Sequence, residues 1–153
     1  MKRLYGFRAI PVLAGLVLLA AACGGKSAVG GRRVTSGPSG PQVVLKDFAI
    51  SAPSTLNPGS ATFSISNQGP SLHELVIMKT DLSPRDLPTT LEGGVAVVDE
   101  QSPALQAVDE KEDIAPGSTV TLRVTLGPGH YVLVCNIPAH FEQGMSAEIT
   151  VGA

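Results

Sequence analysis

Short segments of alternating apolar and polar residues, separated by turns rich in Pro and Gly, fill the sequence from Gln42 onward. Alternation with a period of two places every second side chain on one face of a β-strand, as for Ala61, Phe63 and Ile65. We predict strands at residues 43–50, 61–67, 73–79, 119–126, 131–135 and 145–151. Many short strands without a strong amphipathic helix predict an all-β, Greek-key β-sandwich of about 110 residues.

One long segment, residues 81–113, lacks the alternating pattern and contains several Pro and Gly residues. We expect an irregular stretch there, with a short helix around residues 102–108, because structureless loops of this length are uncommon. The sequence contains no internal repeat, no Gly-rich phosphate loop and no Gly-x-Ser-x-Gly element. It therefore offers no motif for nucleotide binding or for a serine hydrolase.

The N-terminus has the pattern of an export signal. Lys2, Arg3 and Arg8 accompany an apolar run over residues 9–22, which is followed by Cys23. A run of this length is too short to cross a bilayer of about 30 Å as a helix. We therefore predict a signal peptide at residues 1–22 and no permanent transmembrane anchor.

The residues around the expected cleavage point also indicate how the protein is attached. The sequence Leu-Ala-Ala-Ala-Cys-Gly at residues 19–24 resembles a bacterial lipobox, which implies that Cys23 is lipidated and becomes the mature N-terminus. The alternative is ordinary cleavage that leaves Cys23 as a bare thiol. Residues 23–41 then form the lipidation site and a flexible linker, and residues 42–153 the folded domain. The expected location is the periplasm or the extracytoplasmic face of the cell membrane.

The folded part is acidic. From Gln42 onward the sequence has 13 Asp and Glu residues but only Lys46, Lys79, Arg85, Lys111 and Arg123 as basic side chains. Such a domain should repel nucleic acid phosphates and suit basic partners instead. Seven of the acids lie in residues 92–113, which form either a steering surface for a basic partner or simply a solvated loop.

The chemistry is concentrated in residues 135–145, between the last two predicted strands. Cys135, His140 and Met145 supply a thiolate, an imidazole and a thioether, a set of ligands that favours copper. A second imidazole is expected from His73, at the start of a strand after the turn at residues 67–70. The alternative is that Cys135 and Met145 are core residues and His140 a surface residue. An unpaired cysteine in an exported protein favours metal binding, because that compartment is oxidising.

These motifs resemble the cupredoxins, the type 1 blue-copper proteins, over residues 42–152. The resemblance consists of Asn67-x-Gly69-x3-His73, of Pro-Gly at residues 116–117 and 128–129, and of Tyr131-x3-Cys135-x4-His140-x4-Met145. The loop spacing is most like that of the rusticyanin and sulfocyanin group. The resemblance implies one copper ion, with His73, Cys135 and His140 as equatorial ligands and Met145 as the weak axial ligand.

Supporting residues also follow from the resemblance. Asn67 is expected to support the site from outside the set of ligands. Many cupredoxins have Asn after the first ligand histidine and Ser or Thr after the cysteine, hydrogen-bonded to each other. Here Glu74 and Asn136 stand at those positions, so we expect a bridge of altered polarity. His130 should lie outside the metal site, because alternation places it on the opposite face from Tyr131 and Cys135.

The expected function is transfer of single electrons. A trigonal thiolate and two imidazoles with a distant thioether suit both oxidation states of copper, whereas a catalytic metal site keeps an open position. The sequence has three histidines in all, too few for a second copper centre, and so we do not expect an enzyme. Alternatives are a protein that delivers or stores copper, and a metal-free module for adhesion or assembly.

The expected partner is a redox protein such as a cytochrome or a terminal oxidase. Electrons should enter through His140, whose neighbours would form a small apolar docking patch consisting of Ile137, Pro138, Ala139 and Phe141. The alternative for Ile137 and Pro138 is that they merely pack the loop. We expect a monomer that attaches to the membrane through its lipid and binds no nucleic acid.

Overall fold

The computed structural model describes residues 40–153. The predicted signal peptide, the lipidation site Cys23 and nearly all of the linker lie outside the described residues. Within residues 40–153, no helix has the length and apolar character needed to cross a membrane.

Eleven β-strands and one short 3-10 helix make up the described part of the chain. The helix spans Pro84–Asp86. The strands, in chain order, are β1 (Gln42–Lys46), β2 (Ala49–Ser51), β3 (Thr55–Leu56), β4 (Gly59–Asn67), β5 (His73–Lys79), β6 (Thr89–Glu92), β7 (Val95–Val98), β8 (Gln106–Ile114), β9 (Thr119–Leu126), β10 (Gly129–Val134) and β11 (Ser146–Val151).

The strands form two sheets and a separate hairpin. The first sheet has the order β2-β1-β4-β9, the second has the order β3-β11-β10-β5-β8, and β6 pairs only with β7. The chain passes between the two sheets from β2 to β3, from β3 to β4, from β4 to β5, from β8 to β9 and from β9 to β10. The prediction of an all-β sandwich is confirmed.

The main core, called the inner core below, lies between the two sheets. It forms because alternating strands of both sheets turn their apolar side chains toward each other. The first sheet contributes Leu45, Phe63 and Ile65, and the second contributes Leu75, Leu133 and Ile149. The predicted alternation therefore identifies the residues that hold the sandwich together.

A second apolar cluster, called the outer core below, covers the opposite face of the second sheet. It consists of four side chains from that sheet and three from residues 87–105, namely Val76, Met78, Val132, Val134, Leu87, Val98 and Leu105. The expected short helix at residues 102–108 is wrong, and the stretch over residues 81–113 that was expected to be irregular also contains the strands β6 and β7 and most of β8. After a turn in which the Leu105 N–H donates to the Ser102 carbonyl, the chain enters β8.

The predicted strand at residues 43–50 is interrupted. Asp47 and Phe48 form a two-residue turn, and β1 and β2 pair antiparallel on either side of it, with Lys46 opposite Ala49. Phe48 has a φ of 63°, a value that non-glycine residues rarely adopt. The single strand of the sequence analysis is therefore a hairpin.

Candidate metal centre

Three predicted ligands converge at one end of the second sheet. His73 is the first residue of β5, Cys135 directly follows β10, and His140 lies in the loop between β10 and β11. Because β5 and β10 are antiparallel neighbours, the start of β5 lies beside the end of β10. The cysteine sulfur and a ring nitrogen from each histidine all lie within 4.8 Å of one another.

The three atoms form a nearly regular triangle. Cys135 Sγ lies 3.3 Å from His140 Nδ1 and 3.8 Å from His73 Nδ1, and the two Nδ1 atoms are 3.2 Å apart. In a triangle with these sides, the point in its plane that is equidistant from all three atoms lies about 2.0 Å from each, close to the usual lengths of about 2.0 Å for metal–nitrogen and about 2.3 Å for metal–sulfur bonds. The described donors therefore fit one metal ion.

The fourth predicted ligand, Met145, lies close by in the fold. Its backbone N–H donates to the His140 carbonyl at 3.1 Å, and its carbonyl accepts from the Cys135 N–H at 3.1 Å. Its side chain is fully buried in the inner core, in the same cluster as Cys135. The backbone bonds thus fix the ligand loop, residues 135–145, at both ends. The role of Met145 as axial ligand stays a prediction.

The thiol of Cys135 is buried. Burial raises the pKa of Cys135, although the backbone N–H groups of Glu74 and Ile137 point at the sulfur and oppose the shift. The Glu74 N–H lies 3.5 Å from Sγ. Without metal, the thiol is therefore protonated at neutral pH. Metal binding displaces this proton, because only the thiolate is a ligand.

His73 is fully buried, whereas His140 is partly exposed. Burial lowers the pKa of His73, and repulsion from His140 adds to this effect, while Asp47 opposes it. His73 is therefore a neutral imidazole at neutral pH, the form that binds metals. Its two nitrogens face different groups, with Nδ1 toward Cys135 and Nε2 toward Asp47.

Asn67 stabilises the turn that leads into His73. Its amide nitrogen donates to the carbonyls of Ser71 and Ile114, both at 2.8 Å, and its Oδ1 accepts from the Gly69 N–H at 2.9 Å. The side chain is almost entirely buried. The structure places Asn67 behind the ligands, where it orders the turn and contacts none of them in these bonds.

Glu74 and Asn136 are joined, but through the backbone of Asn136. The N–H of Asn136 donates to the Glu74 carboxylate, a bond that lowers the pKa of Glu74, while the larger effect of burial raises it. The Asn136 side chain points elsewhere and bonds to the backbone N–H and carbonyl of Val98 and to Glu100. The ligand loop is thereby tied to the segment that covers the outer core.

The residues of the predicted docking patch differ in their burial and pack against different cores. Ile137 packs against the inner core and Phe141 against the outer core, both partly buried. Ala139 is also partly buried, and Pro138 is exposed. The patch as a docking surface stays a prediction.

Three residues near the site were not predicted from the sequence. Phe48 is 41% exposed, with its ring edge-on to His140 at 5.7 Å between centroids, and Leu72, which directly precedes His73, is 45% exposed. Asp47 contacts His73. No sequence pattern could have identified Asp47 and Phe48, because they lie far from the motif in a segment that was expected to be a strand.

The third histidine lies elsewhere, as predicted. His130 Nδ1 is 2.7 Å from the Thr80 carbonyl oxygen, and Nε2 is 3.3 Å from a Glu148 carboxylate oxygen. Neither contact involves a residue of the triangle. His130 is therefore a natural control in experiments on the metal centre.

Comparisons with known proteins agree with this geometry. Residues 51–152 match the family model for copper-binding proteins of the plastocyanin/azurin family. No curated protein sequence matches the chain.

Solved structures with a similar fold include reduced auracyanin from the photosynthetic bacterium Roseiflexus castenholzii, with a TM-score of 0.54, 22% identity and coverage of 73% of this chain and 95% of that one. Auracyanin B has a TM-score of 0.51 at 18% identity, covering 73% and 87%. A rusticyanin variant has a TM-score of 0.50 at 19% identity, covering 72% and 76%. At such identities, these similarities show the fold alone.

Proposed function

The chain belongs to the plastocyanin/azurin family of copper-binding proteins, and on this premise we propose that it carries single electrons between redox partners outside the cytoplasm. The observation that carries the proposal is the triangle of Cys135 Sγ and the two Nδ1 atoms of His73 and His140. One copper ion fits this set of donors. A bound copper ion would supply the one-electron chemistry, since a thiolate and two imidazoles suit both its oxidation states.

The protein's own contribution is a site that changes little when an electron moves. His73 is held at both nitrogens, and the ligand loop is closed by hydrogen bonds between the backbones of Cys135, His140 and Met145. Such restraint keeps the donors in one arrangement, so that little reorganisation accompanies electron transfer. With Met145 as the fourth donor, no position remains for a substrate, and we do not propose catalysis.

The route for electrons that we propose passes through His140. Its ring is partly exposed, and Phe48, Leu72 and Pro138 present exposed apolar side chains at the same end of the sandwich. A redox partner docking there would approach the donor triangle without displacing any buried ligand. The apolar surface would let the two proteins exclude water at the point of contact.

Acidic side chains lie on the other flank of the site and favour a basic partner. Glu74, Glu100, Glu110 and Glu112 are close enough for each of the other three to raise the pKa of Glu74. We propose that this acidic surface steers a redox protein such as a cytochrome, or a terminal oxidase, toward the site. Association would then slow markedly as the ionic strength rises.

For the location of the protein, we propose the extracytoplasmic side of the membrane, with a lipid on Cys23 as the tether. The proposal rests on the export pattern of residues 1–22 and on the lipobox-like sequence that ends in Cys23 and Gly24. Mass spectrometry of the membrane fraction tests it. A diacylglyceryl mass on the N-terminal cysteine supports the tether, and an unmodified cysteine contradicts it.

The decisive experiment adds Cu(II) to the purified protein and records visible and electron paramagnetic resonance spectra. We expect an intense blue thiolate-to-copper band and a compressed copper hyperfine splitting. Replacing Cys135→Ser should abolish both. The matched control is His130→Gln, which removes a histidine outside the triangle and should leave the spectra unchanged.

Two results would contradict the proposal. A pale complex, or no binding at all, would show that the triangle does not form a blue centre. A blue centre that gives up its copper rapidly to a competing chelator, yet does not cycle between oxidation states, would instead support copper delivery.

A further inference from the structure

One acidic side chain reaches the metal site from the opposite sheet. The predicted ligands belong to the second sheet and its ligand loop, whereas Asp47 lies in the turn between β1 and β2 of the first sheet. Its Oδ1 lies 3.1 Å from His73 Nε2. Nδ1 of His73 therefore faces the other two donors of the triangle, and Nε2 faces a carboxylate.

The carboxylate is itself fixed in place. Its Oδ2 accepts from the Ser71 hydroxyl at 2.9 Å, and its Oδ1 accepts from the Ser71 N–H at 3.4 Å. The Asp47 side chain is 28% exposed, while that of His73 is completely buried. Asp47 therefore has a defined position against the imidazole, unlike an acid on a freely moving surface side chain.

Gly69 leaves room for this hydrogen bond. A Cβ added at Gly69 would lie 2.7 Å from Asp47 Oδ1 and 2.9 Å from His73 Nε2. Both distances are too short for real carbon atoms, so any side chain would push the pair apart. The Asn-x-Gly turn at residues 67–69 thus requires glycine for space at this contact.

The same turn also contacts the second histidine. The ring of Phe48 stands edge-on to that of His140, with an interplanar angle of 88°. Phe48 has a left-handed backbone conformation, which is unfavourable for aromatic residues. Such conformations often occur at functional sites. A single two-residue turn of the first sheet therefore contacts both imidazoles of the site.

We propose that Asp47 is a positioning residue for the metal centre, which keeps the His73 proton on Nε2 and favours the divalent over the monovalent ion. A neutral imidazole has one donor and one acceptor nitrogen. A carboxylate that accepts from Nε2 leaves the lone pair of Nδ1 for the metal. The negative charge also stabilises the additional positive charge of the oxidised ion. This inference rests on the copper-binding function proposed above.

Three variants separate the two effects. Asp47→Ala removes both the hydrogen bond and the charge, and Asp47→Asn removes the charge while its amide oxygen can still accept from Nε2. The matched control is Asp81→Asn, which removes an exposed acid just past the far end of β5. At about 3.3 Å per residue, the far end of β5 at Lys79 already lies roughly 20 Å from His73.

The first measurement needs no copper. Nitrogen NMR of the metal-free wild-type protein should show His73 protonated on Nε2, as should Asp47→Asn, whereas Asp47→Ala should show a mixture of tautomers. If Asp47→Ala keeps the wild-type tautomer, Asp47 does not position the ring. This result decides the positioning role even if the wild type formed no blue centre, so that the two proposals can fail separately.

The second measurement uses the copper-loaded proteins. For Asp47→Ala we expect Cu(II) affinity to fall by at least about tenfold. For Asp47→Asn we expect the ratio of Cu(II) to Cu(I) affinity to fall about tenfold, which raises the reduction potential by about 59 mV for one electron. Asp81→Asn should change neither quantity. Equal shifts in Asp47→Asn and Asp81→Asn would overturn the charge effect.

Discussion

The two faces of the second sheet are covered in different ways. The inner face packs against the first sheet, so strands meet strands across the inner core. The outer face is covered by residues 82–105, a segment with one 3-10 helix, one hairpin and irregular connections. The metal centre lies at the end of this sheet. Cys135 and Met145 belong to the inner core, and Phe141 packs against the outer one.

The difference explains a feature of the sequence. In β9, buried and exposed residues alternate, because only one face of that strand is covered. In β5 and β10, runs of four residues, Leu75–Met78 and Tyr131–Val134, are entirely buried. A continuous apolar run is typical of a strand that is covered on both faces. These two runs are therefore the sign in the sequence that a second layer exists.

The largest expected effect is in the inner core. Leu133 is fully buried there, between the two sheets. Leu133→Ala should lower the free energy of unfolding by about 4 kcal/mol, near the upper end for such substitutions, because two regular sheets cannot collapse onto the cavity. Urea unfolding of the metal-free protein measures it. A loss below about 2 kcal/mol would show that the inner core tolerates cavities.

The same type of substitution in the outer core should cost less stability. Leu105 is 8% exposed and lies in the covering segment, just before β8. Leu105→Ala should cost about 2 kcal/mol, because an irregular segment can move into the space that is left. Equal losses for Leu105→Ala and Leu133→Ala in urea unfolding would show instead that the two cores are equally rigid.

The sequence predicted strands with alternating or continuous apolar residues better than a strand without them. The predicted strands at residues 73–79 and 119–126 have the bounds of β5 and β9. By contrast, β8 was missed, because nearly all of its side chains are exposed or charged and show no period of two. It is an edge strand that pairs only with β5, with irregular register. Its position is set by pairing with a distant strand, which local sequence does not reveal.

Within the site, too, some residues were predicted from the sequence and others were not. The predicted ligands His73, Cys135 and His140 are brought together, since their spacing and the strand order place them at one end of the sheet. The contacts of Asp47 were not predicted. They depend on a two-residue turn in the other sheet and on how the sheets pack, and so on tertiary structure rather than on a motif.

The link between the outer core and the metal centre is open to a direct test. Asn136, next to Cys135, makes three side-chain hydrogen bonds with Val98 and Glu100. Asn136→Ala should lower the free energy of unfolding by about 2 kcal/mol, because the Val98 N–H loses its acceptor and the Val98 carbonyl keeps only the Glu100 N–H as donor. It should also shift the thiolate-to-copper band. As a control, Glu100→Gln retains an acceptor and should cost less than about 0.5 kcal/mol. An unchanged band in Asn136→Ala would mean that the outer core does not influence the site.

The smallest expected effect is on the pH dependence of stability. Burial raises the pKa of Glu74 above its ordinary value of 4.5, and repulsion from Glu100, Glu112 and Glu110 adds to the shift, while the Asn136 N–H opposes it. The folded state thus holds this proton more tightly than the unfolded state. The stabilisation is complete below pH 4.5 and is lost as the pH rises through the higher folded pKa.

Glu74→Gln should remove this contribution to the loss of stability with rising pH. It should raise the stability at pH 7 by less than about 1 kcal/mol, since Glu74 is partly exposed and solvent screens its charge. Urea midpoints of the metal-free protein between about pH 4 and pH 8 measure the decline. The exposed acid Glu142 supplies the matched control, and Glu142→Gln should follow the wild-type profile. If Glu74→Gln also follows the wild-type profile, the surroundings of the Glu74 carboxylate are as well solvated as the protein surface. The acidic surface would then act on partners alone and not on the fold.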